Sequence, residues 1–423
     1  MKFLHAADVH LDSPLKGLER YEGAPVDEIR SATRRALENL VELAIDQQVD
    51  FVLIAGDVYD GDWKDHNTGL FFVRQMTQLR EAGIPVIMIR GNHDAESKMT
   101  KSLKLPDNVE TLSHRRPETA RTRKLGELGV AIHGRSYAKP AELDNMVMEY
   151  PEAVPGLFNI GLLHTSLIGA ERHEPYAPCT VSDLQSKGYD YWALGHIHKR
   201  ESVSDNPHIV FSGNIQGRHI GETGEKGCVI VNVDDRHGIR AEFEPLDVFR
   251  WETCDVDASG AENGEAVLER FSDRLMQLVE AAGGRSVAMR VEIKGACRAH
   301  QELLADPVEW TNQIRGAALD RAPGVAWIEK VKFRTLPAHD VNEILTTDGA
   351  FGELLEFLRS ARNDETVLQR FSVELADLRS KLPDELTKGD DALGLNDPDW
   401  LGDVLSEVEP LLRGRMSTQE AGR

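Results

Sequence analysis

Five segments of the sequence place residues of metal-ligand type directly after a short apolar run. The segments read D-x-H, G-D, G-N-H-D, a single His, and G-H-x-H, in that order along the chain. One such match is common by chance, but five in order predict a shared site, because ligands bind at the carboxyl ends of strands in open α/β sheets. The candidate ligands are Asp8, His10, Asp57, Asn92, His164, His196 and His198.

These oxygen and imidazole donors are typical of a site for two divalent metal ions. Two ions about 3.5–4 Å apart need a bridging carboxylate and further ligands around each ion. Asp57 is the predicted bridge, because the glycine before it lets the backbone approach closely. The other ligands form two sets, one for each ion. One set contains Asp8 and His10, the other contains Asn92 and His164, and each set is completed by one of the two G-H-x-H histidines. Donors without thiolate favour manganese, with iron or zinc as alternatives, over calcium.

The G-N-H-D segment contains two residues that the metal ligation does not require. His93, beside the ligand Asn92, is positioned to donate a proton to a leaving alkoxide. Asp94 is predicted to hold the His93 ring through its other nitrogen, as carboxylates often do for catalytic imidazoles. The segment after the apolar run 85–89 would thereby supply a ligand, an acid and the carboxylate that orients it.

Two groups of basic residues are candidates for binding the substrate. Lys98 and Lys101 are followed by Lys104 at the same spacing, so on a helix they would share one face near the metal ions. They would contact phosphate groups there, or form a solvated helix face. Arg218 and His219 lie in a loop after the apolar run 209–211, where they would contact substrate or stabilise the loop.

The elements that position these residues alternate between strand and helix over residues 1–245. Amphipathic helices are predicted at 31–48 and 68–82, and this pattern predicts an α/β fold with two sheets flanked by helices. The predicted strands are the apolar runs at 3–7, 51–55, 86–89, 130–132, 158–163, 191–194, 209–211 and 229–233.

Two further regions follow the predicted catalytic domain. Residues 250–337 combine two helical stretches with two strands and predict a small α+β capping domain. Residues 338–423 are predicted to be helical, with two apolar stripes at helical spacing that pack within the chain or dock a partner.

The net charge of −22 opposes tight DNA binding by the overall field of the protein. Contacts with DNA would need local basic patches, bound cations or a partner, so a nuclease active site is not excluded. The four cysteines are scattered and predict reduced thiols in a cytoplasmic protein. The sequence contains no apolar run of membrane-spanning length, and its first residues become polar too soon for a signal peptide, so we expect none.

The ordered motifs resemble those of the calcineurin-like metallophosphoesterase superfamily over about residues 1–245. This resemblance implies the metal ligation in detail, because each motif has a fixed role in that family. It implies one ion on Asp8, His10 and His198, a second on Asn92, His164 and His196, and Asp57 as the bridge.

Two longer stretches are similar to one branch of that superfamily, the bacterial DNA-repair exonucleases of the SbcD and YhaO type. They are HAADVHLDSPLKGL at 5–18 and AGDVYDGD at 55–62. The branch implies DNA as substrate, a capping domain that contacts DNA, and a helical tail docked on an SMC-type, SbcC-like coiled-coil ATPase. A second copy of the chain is a further candidate partner. Asp60 is a departure, since some relatives carry a histidine there.

The sequence thus predicts a two-metal phosphodiesterase that acts on DNA as an exonuclease or endonuclease. One alternative is a small-molecule phosphodiesterase or phosphatase of the same superfamily, which the acidic charge favours and the long region after residue 245 opposes. The other is a mainly structural subunit of an SMC-type ATPase complex. The complete ligand set opposes that alternative, because a structural subunit has no need of it.

Overall fold

The computed structural model describes most of the chain, which divides into two compact units. One unit contains residues 1–252, 279–289 and 324–329, and the other contains the described part of 253–278, 290–323 and 330–423. The described residues are 1–13, 23–60, 66–96, 103–167, 176–338, 350–362, 364–382, 393–398, 400–405, 408 and 412.

The first unit contains twelve strands and five α-helices among its described residues up to 245. The strands are β1 (Lys2–Ala6), β2 (Phe51–Ala55), β3 (Val86–Ile89), β4 (Val109–Thr111), β5 (Glu118–Thr119), β6 (Val130–Gly134), β7 (Phe158–His164), β8 (Tyr191–Gly195), β9 (Glu201–Asp205), β10 (His208–Phe211), β11 (Gly227–Val233) and β12 (Ile239–Pro245). The helices are α1 (Val26–Asp46), α2 (His66–Glu81), α3 (Asn92–Glu96), α4 (Arg123–Glu127) and α5 (Val181–Ser186), with a 3-10 turn at Met146–Glu149.

The strands form two six-stranded mixed sheets. The first has the order β12-β11-β1-β2-β3-β4, in which β1 to β4 run parallel and β11 pairs antiparallel with β1 and β12. The second has the order β5-β6-β7-β8-β10-β9, in which β6, β7, β8 and β10 run parallel. The segments that follow these parallel strands in the sequence therefore lie at one edge of each sheet.

The two sheets pack face to face, and helices cover their outer faces. Phe3 of β1 stacks on Phe51 of β2 at 5.0 Å, and both pack in one core with residues of β7 and β8. Helices α1 and α2 cover the other face of the first sheet, and α5 with the 3-10 turn covers the second. Strands buried on both faces are continuously apolar, which explains the uninterrupted runs in the sequence.

A smaller three-stranded sheet follows in the sequence. Its strands β13 (Phe249–Asp257), β14 (Ser286–Cys297) and β15 (Ala326–Pro337) lie in the order β13-β14-β15. Three helices accompany it: α6 (Gly264–Ala281), α7 (His300–Ala305) and α8 (Pro307–Arg321). Asp306 begins α8 as its N-cap, since its side chain accepts a hydrogen bond from the backbone N–H of Glu309.

The C-terminal region is helical where the structure describes it. It contains α9 (Ala350–Ala361), α10 (Glu365–Glu374) and α11 (Ala376–Lys381). Asp364 caps α10 through hydrogen bonds from two backbone N–H groups of its first turn. The predicted fold class is confirmed: two mixed sheets flanked by helices, a smaller α+β region, and a helical C-terminal region. None of the described helices is both long enough and apolar enough to cross a membrane.

Candidate metal centre

The seven predicted ligands lie at one edge of the two packed sheets. Parallel strands end at the same edge, so segments that are far apart in the sequence meet there. The ligands are Asp8 and His10 after β1, Asp57 after β2, Asn92 after β3, His164 at the end of β7, and His196 and His198 after β8.

The first group of ligands contains Asp8, His10 and His198, whose ligand atoms all lie within 4.8 Å of one another. Nε2 of His10 lies 3.1 Å from Nε2 of His198. Burial lowers the pKa of His10 to about 3, so its ring is neutral and offers a lone pair. Two imidazole nitrogens that bind one ion at about 2.1 Å lie about 3.0–3.4 Å apart. The observed spacing therefore suits one shared ion.

The second group contains Asp8, Asp57 and His164, again within 4.8 Å of one another. Nδ1 of His164 lies 2.8 Å from the carbonyl oxygen of Ala55, which accepts its hydrogen and directs Nε2 toward the site. That Nε2 lies 2.9 Å from Oδ1 of Asn92 and 3.2 Å from Oδ2 of Asp57. Burial would lower the pKa of His164, but the nearby carboxylates, Asp57 foremost, raise it to about 9. The surrounding oxygens thus favour positive charge at this position.

Two carboxylates lie between these groups. Asp8 belongs to both, and its two oxygens each accept the backbone N–H of His196 at 3.1 Å. Asp57 belongs to the second group, and its Oδ1 accepts the backbone N–H of His93 at 2.9 Å. Burial would raise the pKa of Asp57, but the His164 ring holds it well below its usual range. Asp8 is therefore placed to join two ions, and bridging by Asp57 stays a prediction.

His196 lies at the same edge but outside these two groups, and outside a third group that the described residues also form from His10, Asp60 and His93. Its ring centroid is 5.3 Å from that of His164 and 5.1 Å from that of Tyr176. The structure thus places His196 beside the ligand with which the sequence paired it, and its binding of a metal stays a prediction.

Two glycines allow the ligands to approach one another. A Cβ atom added at Gly91 would lie 2.3 Å from Oδ1 of Asp57 and 2.8 Å from Cε1 of His164. A Cβ atom at Gly56 would lie 2.6 Å from Nδ1 of His164, and the φ angle of +95° there also favours glycine. The glycines of G-D and G-N-H-D are therefore required by the packing of the site.

The backbone of the site is strained at four of the predicted ligands. The φ angles are 50° at Asp8, 44° at His10, 52° at Asp57 and 98° at His196. A residue other than glycine in such a conformation costs about 1–3 kcal/mol, and such residues cluster at functional sites. The surrounding sheets hold these turns in place and thereby aim the side chains at one another.

The carboxylate beside the His93 ring is Asp60, so the predicted assignment to Asp94 is wrong. Oδ1 of Asp60 lies 2.9 Å from Nδ1 of His93, whose side chain is 39% exposed. Asp94 is buried and accepts backbone N–H groups from Gly91 and from two residues after β2. The physical reason is that His93 and Asp94 are consecutive residues of α3, and such side chains do not face each other on a helix.

The contact with Asp60 determines the charge of the His93 ring. Burial alone would lower the pKa of His93, but Asp60 and Asp57 raise it above its ordinary value. Burial would raise the pKa of Asp60, whereas its hydrogen bonds with nearby imidazoles hold it well below its usual range. A protonated His93 beside an ionised Asp60 is the arrangement that a general acid requires.

Arg218 lies deeper in the site than the sequence suggested. Its side chain is 13% exposed, with Nη1 3.5 Å from Oδ2 of Asp60 and Nη2 2.9 Å from Oε1 of Glu222. Glu222 in turn contacts Nδ1 of His198 at 2.6 Å. His219 is more open, with a side chain 52% exposed. Lys98 and Lys101 lie outside the described residues.

Sequence reasoning missed the roles of Asp60 and Glu222. Asp60 was visible as the second carboxylate of G-D-V-Y-D, three residues after Asp57, which is a signal that could have been used. Glu222 lies 24 residues beyond His198 in an irregular loop, and no spacing in the sequence indicates their contact.

The donors fit a pair of divalent cations. Each group brings carboxylate oxygens and imidazole nitrogens within 4.8 Å of one another. Nδ1 of His10 is buried and lies 3.7 Å from Oδ1 of Asp60. Oxygen and nitrogen donors without thiolate suit manganese, iron or zinc.

The sequence matches two families of known proteins. Residues 1–200 match the calcineurin-like phosphoesterase family, and residues 251–336 match the family described as metallophosphoesterase YhaO, middle domain.

Relatives with curated descriptions agree with these matches. The chain is 37% identical over 296 residues to the uncharacterized metallophosphoesterase YhaO of Bacillus subtilis, covering 70% of this chain and 72% of that protein. It is 28% identical over 247 residues to the DNA double-strand break repair protein Mre11 of Sulfurisphaera tokodaii, covering 55% and 59%.

Solved structures give a weaker likeness. A dimetal phosphatase from Danio rerio is 10% identical, with a TM-score of 0.35, over 58% of this chain and 96% of that one. The sequence relationships are much closer, and they show that the chain belongs to the calcineurin-like phosphoesterase family of metal-dependent phosphoester hydrolases.

Proposed function

We propose that the chain hydrolyses phosphodiester bonds of DNA with two divalent metal ions, as a repair exonuclease or endonuclease. The proposal depends above all on one observation: two groups of closely placed carboxylates and imidazoles share the buried Asp8, and the half-exposed ring of His93 lies beside them. The choice of DNA is supported by the similarity to a DNA double-strand break repair protein.

The proposed metal ligation follows the two groups. Bound divalent ions, with manganese proposed and iron or zinc as alternatives, would acidify water and neutralise charge on the phosphoryl group. Asp57 is the proposed bridge. The first ion would take Asp8, His10 and His198, and the second would take Asn92, His164 and His196.

His93 is the proposed general acid. Its ring is exposed enough to reach a substrate, while Asp8, His10, Asp57 and His164 are buried. Asp60 accepts the hydrogen of Nδ1, which leaves Nε2 to protonate the leaving sugar oxygen. Asp94 supports this step indirectly, because its carboxylate fastens the start of α3 to the turn after β2.

Contacts with the DNA backbone are proposed for four basic residues. The net charge of −22 gives no general attraction for DNA, so local contacts must provide it. In the loop after β10, the side chain of His219 is half-exposed, whereas the side chain of Arg218 is mostly buried beside Asp60. Lys98 and Lys101 follow α3 in the sequence and complete the proposed set.

A partner is proposed to bind the C-terminal helices. Leu354 and Phe357 of α9 are 41% and 49% exposed, and Val373 of α10 is 70% exposed. We expect an SMC-type coiled-coil ATPase to cover these side chains and to supply the affinity for DNA that an acidic chain lacks. The division into a catalytic domain at 1–245, a capping domain at 250–337 and a helical region at 338–423 belongs to the same proposal.

The test compares two substrates with the purified full chain. Linear DNA and bis(p-nitrophenyl) phosphate are each incubated with Mn²⁺, with Zn²⁺ and with EDTA. His93→Ala serves as the inactive variant, and His237→Gln is its matched control, since His237 is similarly exposed but lies beside Asp190 and Phe158. We expect metal-dependent DNA cleavage that His93→Ala loses and His237→Gln keeps.

Two results would contradict the proposal, and they separate the alternatives. Hydrolysis of the aryl phosphodiester without any DNA cleavage would indicate a small-molecule phosphodiesterase. A chain that binds two metal ions but cleaves neither substrate would indicate a structural subunit.

A further inference from the structure

The carboxylate of Glu222 touches a predicted metal ligand from outside the ligand set. Glu222 lies in the loop between β10 and β11, and its side chain is only 5% exposed. Its Oε1 lies 2.6 Å from Nδ1 of His198. This is a short distance for a hydrogen bond between an imidazole and a carboxylate, as expected where one partner is charged.

The contact determines which nitrogen of His198 carries the hydrogen. We assign the hydrogen to Nδ1 of His198, because an ionised carboxylate can only accept. Nη2 of Arg218 also lies 3.2 Å from this nitrogen, but it lies closer, at 2.9 Å, to Oε1 of Glu222. Nε2 is then left with its lone pair, and it is this atom that lies 3.1 Å from Nε2 of His10 in the first ligand group. Glu222 thereby presents to the site the nitrogen that a metal ion would use.

Donors from Arg218 and Asn214 hold Glu222 in its ionised form and in its position. Nη2 of Arg218 lies 2.9 Å from Oε1, while the backbone N–H of Arg218 and the side-chain amide of Asn214 donate to Oε2 at 2.8 and 2.9 Å. Asn214 is itself tied to the first ligand segment, because it forms a parallel bridge with Ala7, the residue before Asp8. Glu222 is therefore fixed relative to the site.

The same loop holds the backbone of His198. The backbone N–H of Asn214 and Nζ of Lys226 both donate to the carbonyl oxygen of His198, each at 3.2 Å. Residues of this one loop thus position both the ring and the main chain of His198. If the loop served only the ion pair between Arg218 and Glu222, these contacts with His198 would not be needed.

We propose that Glu222 is a positioning residue of the metal centre, which orients His198 and strengthens its binding of a metal ion, with Arg218 balancing its charge. The inference rests on the proposed function to the extent that His198 is a metal ligand. Carboxylates that accept a hydrogen bond from a ligating histidine typically contribute about 10–100-fold to metal affinity or activity.

The test uses metal titration of the full chain, so that it does not depend on DNA cleavage. Calorimetric titration with Mn²⁺ is carried out for the wild type, Glu222→Gln and Glu222→Asp. We expect the Kd for one of two ions to rise about 10–100-fold in both variants. The Asp variant keeps the charge that Arg218 and Asn214 require but is one methylene too short for His198, so it separates orientation of the ring from stabilisation of the loop.

Asp247→Asn is the matched control. Asp247 is also a buried carboxylate held by arginine, with Oδ2 2.8 Å from Nε of Arg250 and Oδ1 3.2 Å from Nε of Arg285. We expect this variant to lower the thermal unfolding temperature measured in EDTA while leaving the Mn²⁺ affinities unchanged.

Wild-type Mn²⁺ affinities in both Glu222 variants would overturn the proposal, and so would an equal loss of affinity in Asp247→Asn. The proposed function fails separately. If the wild type binds two ions but does not cleave DNA, the nuclease assignment is wrong while the change in Mn²⁺ affinity still decides the role of Glu222.

Discussion

Adding one methyl group at Gly91 should disable the metal centre without unfolding the protein. The Cβ atom of an alanine would lie 2.3 Å from Oδ1 and 2.8 Å from Cγ of Asp57, and 2.8 Å from Cε1 of His164. Contacts of Cβ atoms below 3.0 Å are essentially never found, so the Asp57 carboxylate must move by roughly 0.7 Å or more.

The expected magnitude follows from that displacement. Asp57 and His164 are buried and close-packed, so the strain of accommodating the methyl group should cost about 1–3 kcal/mol of stability. A misplacement of about 1 Å at a reacting centre can cost about 10²-fold in rate. We therefore expect Gly91→Ala to fold, to bind Mn²⁺ more weakly, and to lose about 10²-fold in hydrolysis of an aryl phosphodiester.

The assay combines calorimetric titration of Mn²⁺ with steady-state hydrolysis of bis(p-nitrophenyl) phosphate. Gly126→Ala is the matched control, because Gly126 lies in α4 with nothing within 4 Å of an added Cβ atom. That variant should keep full activity and gain about 0.4–1 kcal/mol of stability. Wild-type metal affinity and rate in Gly91→Ala would refute the reasoning that the ligands depend on close approach of the backbone.

Three further predictions concern other parts of the molecule. His93→Ala should keep both metal ions, measured by titration, yet lose about 10²–10⁴-fold in rate, because the ring acts as an acid and not as a ligand. His5 is buried, which lowers its pKa from 6.5 to about 3, so its contribution to stability is complete above pH 6.5 and is lost as the pH falls toward 3. In the wild type the free energy of unfolding, measured with urea, should fall between pH 7 and pH 5. In His5→Gln this fall should be smaller by about 2 kcal/mol. Val373→Asp should abolish co-purification with the proposed coiled-coil ATPase and spare phosphodiester hydrolysis, since this side chain is 70% exposed.

The strands that carry ligands were predictable because they are buried on both faces. β2, β3 and β8 appear in the sequence as unbroken apolar runs, whereas the runs of β1 and β7 are interrupted by His5 and Asn159. Each run leads within two residues into a glycine or a predicted ligand. β9 and β12 were missed for the opposite reason. They are two of the four edge strands of these sheets and are largely exposed, so their residues show no apolar run. The other two edge strands, β4 and β5, are only three and two residues long and were missed as well.

The meeting of the predicted ligands at one edge of the sheets was predictable, and their surroundings were not. Each ligand belongs to a local motif, whereas the partners of the ligands come from elsewhere in the fold. Asp94 was assigned to the His93 ring because it is adjacent in the sequence, but the helical turn of α3 directs the two side chains apart and Asp60 takes that place. Glu222 reaches His198 only through the path of a long loop, which no local pattern encodes.

The central claim is a centre of two metal ions that share the carboxylate of Asp57, and metal stoichiometry tests it most directly. The measurement is the number of Mn²⁺ ions bound per chain by the wild type and by Asp57→Ala, from titration and elemental analysis of the same samples. We predict two ions for the wild type and none for the variant. Two ions retained by Asp57→Ala would contradict the claim, and one retained ion would transfer the bridging role to Asp8, which belongs to both ligand groups.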